Sequence, residues 1–167
     1  MTWLTNERRI PIGVAASGPK VIEIAAKKAD RVDLQVGASA ARIDWALEIA
    51  RKVRREERLD ELRASAYINM IVNEDSEKAW RMAAGAITSQ SRFSAMHGEV
   101  IGPTSKATAD TLTKIHSAYD MKQHGQHDPV LITSEFAHEF GIYGSPAYCI
   151  DRLSELAELG IDRFIMA

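Results

Sequence analysis

Residues 15–19, Ala15-Ala16-Ser17-Gly18-Pro19, have the composition of an anion-binding turn. They end a short apolar run and precede apolar residues at helical spacing, so they join a strand to a helix. Backbone N–H groups at a helix start point outward, and the helix dipole favours an anion there. Ser17 adds a hydroxyl donor, and Gly18 lets a ligand approach the backbone. An ordinary strand–helix turn has the same pattern, so the residues alone leave both interpretations open.

The segment Gly144-Ser145-Pro146 repeats this pattern further along the chain. The capping chemistry of serine and proline is enough to explain it, so we predict a plain helix start without a ligand. It is therefore not included among the candidate site residues.

A metal site is the chemistry that the histidines suggest. His124 and His127 are spaced like a ligand pair, with His116 and Asp128 nearby in the sequence. The intervening Gly125 disfavours a rigid ligand geometry, and neither a cysteine nor a third fixed ligand accompanies the pair. We therefore predict a solvated polar loop and no bound metal.

Positive charge is concentrated between positions 51 and 58, in Arg51, Lys52, Arg54, Arg55 and Arg58. Acidic residues are interleaved with these five or lie beside them. Ion pairs along an exposed helix therefore explain the cluster without a nucleic-acid partner.

No catalytic residue can be named from a motif. The sequence has no paired carboxylates, nucleophile elbow, P-loop or dinucleotide fingerprint. The single cysteine, Cys149, lies one turn into a predicted helix, where its pKa could be lowered. No histidine-bearing nucleophile motif surrounds it, so we predict a buried apolar cysteine.

Strand-like runs and helical patterns alternate along the chain. The predicted strands lie near residues 11–16, 31–36, 66–72 and 162–166. The first predicted helix begins at Pro19, the second covers roughly residues 40–58, and the third follows the cap Asp75. Further helical patterns occupy parts of residues 98–140, and a last helix ends at Gly160. Strand–helix repeats that close on a strand predict an α/β fold with about four parallel strands and right-handed crossovers.

Length and composition fit one domain over residues 1–167. Hydrophobic residues make up 46% of the chain and charged residues 26%, which excludes a disordered or fibrous protein. A net charge of −2 offers no basic field to nucleic acid, and no apolar run is long enough for a membrane. One cysteine and no secretory signal pattern predict a cytoplasmic protein. A closed β/α barrel usually needs about 250 residues, so only part of one fits.

Several stretches together resemble the second half of the luciferase-like monooxygenase family. They are residues 12–20 (IGVAASGPK), 24–25, 29–32 (ADRV), 143–146 (YGSP), 151–153 (DRL) and 159–164 (LGIDRF). The branch with the most similar pattern uses the deazaflavin coenzyme F420 and resembles methylenetetrahydromethanopterin reductase. The resemblance implies a partial (β/α)8 TIM barrel and hydride transfer between F420 or FMN and an unknown organic substrate. It also implies that residues 15–19 bind the cofactor near its phosphate-bearing side chain, without a metal.

The stretches that would match the first four strands of such a barrel are missing from this sequence. We therefore expect a homodimer or a separate N-terminal half to complete the barrel, and weak or absent cofactor binding by the isolated chain. Val14, Leu34, Ile68 and Ile165 are expected to face the open inner side and to drive the association. The alternative is a catalytically inactive β/α module that only folds and self-associates.

Overall fold

The computed structural model describes residues 10–122 and 131–167. The strands in these residues are β1 (Gly13–Ala16), β2 (Arg31–Leu34), β3 (Arg63–Val72), β4 (Gly141–Gly144) and β5 (Arg163–Met166). The helices are α1 (Pro19–Lys28), α2 (Ala40–Glu56), α3 (Ser76–Ser91), α4 (Lys106–Ala118), α5 (Ser134–Phe140) and α6 (Pro146–Glu158). A 3₁₀ turn over Arg92–Ala95 follows α3 directly. None of these helices is long and apolar enough to cross a membrane.

All strand pairs in the sheet are parallel. β1 pairs with β2 and β2 with β3, so that Val14 lies opposite Val32 and Val32 opposite Ala64. β3 has 10 residues, and it has two further partners: β5 pairs with its middle and β4 with its last four residues. The parallel α/β architecture predicted from the alternation of patterns is confirmed.

β4 is a strand that the sequence pattern does not predict. Its four residues, Gly141-Ile142-Tyr143-Gly144, follow α5 without a break, and the two glycines weaken any strand signal. All four residues are buried, and pairing with the end of β3 holds them extended. β5 therefore pairs with β3 and not with the strand that precedes it in the chain.

Helices α1, α2 and α6 pack on one face of the sheet and form the main core. They cover Val32, Leu34 and Ile68 of the strands. The buried helix residues include Ile22, Ala25 and Ala26 of α1, Ile43, Leu47 and Val53 of α2, and Leu156 of α6. Full burial of one large aliphatic side chain contributes about 1.5–3 kcal/mol. This layer therefore fixes α1 and α2 against β1 and β2.

The side chains expected on the open inner face lie mostly on the other face, so that expectation was wrong. Val14, Leu34 and Ile68 pack into or against the helix-covered core, and both Leu34 and Ile68 are fully buried. Ile165 follows the core residue Phe164, so it points to the opposite face. Because side chains alternate along a strand, a register shift of one residue exchanges the two faces completely.

The face away from the main core begins with a polar layer. Asp33 and Arg163 form an ion pair of 3.1 Å, and Arg31 donates to the Ser65 hydroxyl at 2.8 Å. Arg163 donates to the same hydroxyl at 3.2 Å. Asp162, just before β5, accepts from Arg31 and Arg63. The strand starts on this face therefore carry partnered charges where apolar side chains were expected.

Helices α3, α4 and α5 form a second core over the far end of β3 and β4. Trp80 and Ile87 of α3, Leu112 of α4 and Phe136 of α5 belong to the same buried cluster as the fully buried Tyr143. The rings of Phe136 and Phe140 pack at 4.9 Å. This cluster covers the strand ends and supports the loop between α3 and α4, which borders the candidate site.

Candidate functional site

A cleft of about 690 Å³ opens where β1 ends and α1 begins. This volume falls within the range typical of small-molecule sites, about 300–1,000 Å³. One wall is the start of α1, and the other is the loop after the 3₁₀ turn. The lining residues are Ser17, Gly18, Pro19, Lys20, Val21, Phe93, Met96, His97, Glu99 and Ile101.

The five residues predicted to bind a cofactor are distributed unevenly about this cleft. Ser17, Gly18 and Pro19 line it and are half-buried. Ala15 is exposed on β1 and does not line it. Ala16 lies in the main core, where its side chain cannot meet a ligand. The structure therefore brings the turn itself into the cleft and leaves the preceding strand residues outside.

The start of α1 has donors that the protein does not use. Gly18 is the N-cap and provides no side-chain hydrogen bond, and Pro19 has no N–H group. The Ser17 hydroxyl and the Lys20 backbone N–H have no partner among the described residues. The other α-helices in the described part of the chain have a Ser, Thr or Asp cap, which at α6 is Ser145. That serine accepts from Tyr148 N at 3.3 Å, as expected for a plain helix start.

Gly18 leaves space in the cleft because it has no side chain. Its backbone is extended, with φ −143° and ψ 162°, so any residue could adopt this conformation. An added Cβ would lie 3.1 Å from the Ile101 Cδ1 atom across the cleft. A larger side chain here would therefore crowd Ile101 and narrow the cleft, whereas the backbone geometry does not call for glycine.

The wall opposite α1 is held in place by the buried guanidinium of Arg42. Its Nε donates to Val36 O at 2.5 Å, and its Nη2 donates to Ser94 Oγ at 2.7 Å and Ile101 O at 3.2 Å. Nη1 donates to Pro103 O at 3.2 Å. Burial lowers the pKa of Arg42 from its usual value, and nearby Glu139 opposes that shift. One side chain of α2 therefore anchors the loop that carries Ile101.

Sequence reasoning missed Arg42 and the whole loop wall. Arg42 precedes Ile43 at the start of the buried stripe of α2, and this position was the available signal for a buried arginine. Gly102, with φ +82°, lets the loop pass within contact of the arginine, since a Cβ there would lie 3.3 Å from Arg42 Nη1. Nothing in the local sequence indicated that residues 93–101 would face the segment at 17–19.

The cleft combines apolar and polar groups. Phe93 and Met96 provide an apolar surface, and the Arg92 guanidinium stacks over the Phe93 ring at 4.6 Å. Lys20 and His97 are exposed at the rim, and Glu99 is the carboxylate of the lining. This arrangement can hold an anion at the start of α1 and an apolar group against the loop.

A separate series of hydrogen bonds links side chains near the end of β4. The Tyr148 hydroxyl is 3.1 Å from His138 Nδ1, and His138 Nε2 is 3.4 Å from Ser76 Oγ. Ser76 in turn donates to Tyr143 O at 3.0 Å. Burial, and then the charge of Arg152, lower the pKa of His138, which favours the neutral ring. These hydrogen bonds connect α3, α5 and α6, and their residues do not line the cleft.

The remaining sequence predictions have different outcomes. His124, His127 and Asp128 lie outside the described residues, and the described residues contain no metal-ligating cluster. Most of the basic cluster pairs as expected: Arg51 and Arg55 with Glu48, and Lys52 with Glu56. Cys149 is buried as predicted, and burial raises its pKa.

Comparison with known proteins gives the family directly. The model of the luciferase-like monooxygenase family matches residues 2–163. Comparison with curated proteins finds no match.

Solved structures with this fold extend the comparison. The coenzyme F420-dependent tetrahydromethanopterin reductase from Methanopyrus kandleri has a TM-score of 0.64 at 19% identity, covering 93% of this chain and 44% of its own. An F420-dependent secondary alcohol dehydrogenase in complex with an F420-acetone adduct has a TM-score of 0.62 at 16% identity, covering 98% of this chain and 44% of its own. A long-chain alkane monooxygenase has a TM-score of 0.53 at 19% identity, covering 93% of this chain and 36% of its own.

These identities show the fold alone, and this chain spans less than half the length of each structure. The coverage agrees with part of a TIM barrel. The family match extends over nearly the whole chain, and the chain therefore belongs to the luciferase-like monooxygenase family.

Proposed function

We propose that this chain provides the second half of a barrel that transfers hydride between F420 or FMN and an organic substrate. Family membership supports the reaction class, and two of the similar solved structures are F420-dependent enzymes. The observation that carries the proposal is the cleft of about 690 Å³ at the carboxyl end of β1. In a β/α barrel, active sites lie at this end of the strands.

The residues of the cleft fit the phosphate-bearing side chain of either cofactor. The unused donors at Ser17 and Lys20 N–H lie at the positive end of the α1 dipole, where a phosphate is favoured. The exposed Lys20 side chain adds a positive charge at the rim, and Gly18 leaves space beside Ile101. When bound, the cofactor supplies the hydride chemistry, and the chain's residues bind and orient it.

The surface for the ring and the substrate needs a further component in this proposal. The chain spans 44% of the length of the F420-dependent reductase, and the polar layer at the strand starts is partly exposed to solvent. A second copy of the chain or a separate N-terminal half would cover this face and border the cleft. Without that component, the ring lacks a preorganised surface. Binding would then have to order the surrounding residues, which lowers the affinity.

The test is a fluorescence titration with FMN and with F420 on three proteins. The wild type should bind either cofactor loosely and be colourless after purification. Gly18→Val should weaken binding about tenfold, because its branched Cβ fills the space beside Ile101. Ala147→Val is the matched control, since it adds bulk in the first turn of α6 at an exposed position.

The outcomes separate the alternatives. Equal binding by the wild type and Gly18→Val would show that the cofactor site lies elsewhere. Tight stoichiometric binding by the wild type would contradict the incomplete pocket. No binding of either cofactor, alone or with an added N-terminal half from a complete family member, would favour the inactive β/α module.

A further inference from the structure

A second cavity lies at the opposite end of the sheet from the cleft. It has a volume of about 280 Å³ and lies beneath the second half of α2. Its floor is apolar and includes Val32 and Ala64, near the starts of β2 and β3, and Leu47 and Ala50 of α2. At about 30 Å³ for each water-sized group, this space holds about nine such groups.

Three arginines line this cavity, and only two of them have partners. Arg51 donates to Leu159 O at 2.5 Å and to Glu48 at 3.1 Å. Arg55 lies 3.7 Å from the same glutamate. Arg54 is half-buried, its Nε atom is buried, and its side chain has no hydrogen-bond or ion-pair partner among the described residues.

The unpartnered Nε of Arg54 is the observation that points to a ligand. A buried N–H donor without an acceptor is destabilising, and it is more so when the group is charged. Glu48 already pairs with Arg51 and Arg55, whereas the Arg54 guanidinium has no ion-pair partner among the described residues. The cavity therefore places an unpaired positive charge beside an apolar floor.

We propose that this cavity binds a small amphipathic monoanion, a carboxylate with an apolar body, of about nine non-hydrogen groups in all. The carboxylate would accept from Arg54, which has a planar set of donors suited to two carboxylate oxygens. The apolar body would lie against Leu47, Ala50 and the strand starts. This site is independent of the cofactor cleft and of the proposed oxidoreductase function.

The turn after α6 prepares one wall of the site. Gly160 has φ +110°, a conformation that favours glycine, and an added Cβ would lie 2.9 Å from Arg51 Nη2. This turn presents Leu159 O to Arg51, which holds that guanidinium in place. Part of the positive wall is thus fixed before a ligand enters.

Complementing the dipole of α2 is the competing role for these arginines. Arg54 and Arg55 lie in the last turn of α2, where positive side chains stabilise the helix. That role suits the exposed Arg55, but it requires no buried Nε on the cavity wall. The two roles differ in their consequences, since only the binding role makes ligand affinity depend on Arg54.

The test uses sodium octanoate as the probe and octanamide as its uncharged analogue, with calorimetry and amide NMR shifts as readouts. Octanoate should bind with one site, and the amide shifts should cluster around Leu47, Leu62 and Gly160. Arg54→Gln should weaken binding about tenfold or more, whereas octanamide should bind the wild type about tenfold more weakly than octanoate. Lys52→Gln, on the exposed side of the same helix, removes an equal charge and should change affinity less than about twofold.

Three results would overturn the proposal: no saturable binding of octanoate up to about 10 mM, equal losses in Arg54→Gln and Lys52→Gln, or shifts that map to another region. If Arg54→Gln fails to fold, the comparison of octanoate with octanamide and the NMR map on the wild type decide the question. A loss of stability in Arg54→Gln with unchanged octanoate affinity would assign Arg54 to the helix dipole alone.

Discussion

Replacing Arg42 with methionine should detach the loop wall of the cleft and destabilise the whole domain. The change removes donors from Val36 O, Ile101 O, Pro103 O and Ser94 Oγ. Each charged hydrogen bond contributes about 1.5–3 kcal/mol, but burying the guanidinium offsets part of that sum. Each buried acceptor left without its donor costs about 1–3 kcal/mol, so after that offset we expect a net loss of about 3–5 kcal/mol. This loss is a large fraction of the stability of a domain, about 5–15 kcal/mol.

Urea unfolding measures the loss, and amide hydrogen exchange shows where it acts. Ile101 N donates to Ser94 O at 2.8 Å, so its amide should be protected in the wild type and should exchange faster in Arg42→Met. Lys52→Met, with an exposed side chain on the same helix, should leave both measurements unchanged. A loss below about 1 kcal/mol in Arg42→Met, with Ile101 still protected, would refute the anchoring role.

Arg42→Lys separates the geometry of the guanidinium from its charge. A lysine keeps the charge but has three donors on one nitrogen, so it cannot reach Val36 O on one side and Pro103 O on the other. We expect it to recover less than half of the lost stability. Full recovery would show that charge, and not the forked geometry, holds the loop.

Two pH-dependent effects follow from the polar networks. Burial lowers the pKa of His138, so its contribution to stability is fully present above the unfolded value of 6.5 and is lost as the pH falls from there through the lower folded pKa. Urea unfolding should therefore lose less stability on acidification in His138→Gln than in the wild type, and equal slopes would contradict this. Burial alone would raise the pKa of Asp162, but the hydrogen bonds from Arg31 and Arg63 outweigh it, so the pKa is lowered from its usual value of 3.8. Asp162→Asn should be less stable than the wild type at neutral pH and equal to it at a pH well below 3.8. The difference in stability at neutral pH should shrink at high salt. A difference that persists at low pH would contradict the ion-pair explanation.

Local signals predicted most of the element boundaries. Pro19 begins α1, Ser145 caps α6 and Gly160 takes the positive φ expected after a helix. The predicted cap Asp75 accepts from Lys78 N at 3.0 Å. These features depend on residues within one turn of each other, so a single sequence contains the information that determines them.

The loop wall of the cleft could not be predicted in this way. Arg42 lies 52 residues before Ser94 and 61 before Pro103, and these long-range bonds determine where the loop goes. The local pattern of residues 98–105 contains Gly98, Gly102 and Pro103 as turn signals, and these do not say where the loop packs. The predicted turn at residues 17–19 was therefore only half of the cleft, and the other half depends on tertiary contacts.

The orientation of the strands shows the same limit more sharply. An apolar residue at every second position fixes which residues share a face, but it does not say which face the helices cover. Leu34 and Ile68 belong to the helix side, so the uncovered strand starts carry Asp33, Arg163 and their partners. Apolar exposure at the starts of β2, β3 and β5 therefore gives no drive for association, whereas Ile10 and Ile12, just before β1, are exposed. A partner that covers this layer must instead satisfy charged groups that already pair with one another, and such a contact depends on geometry and ionic strength more than on buried area.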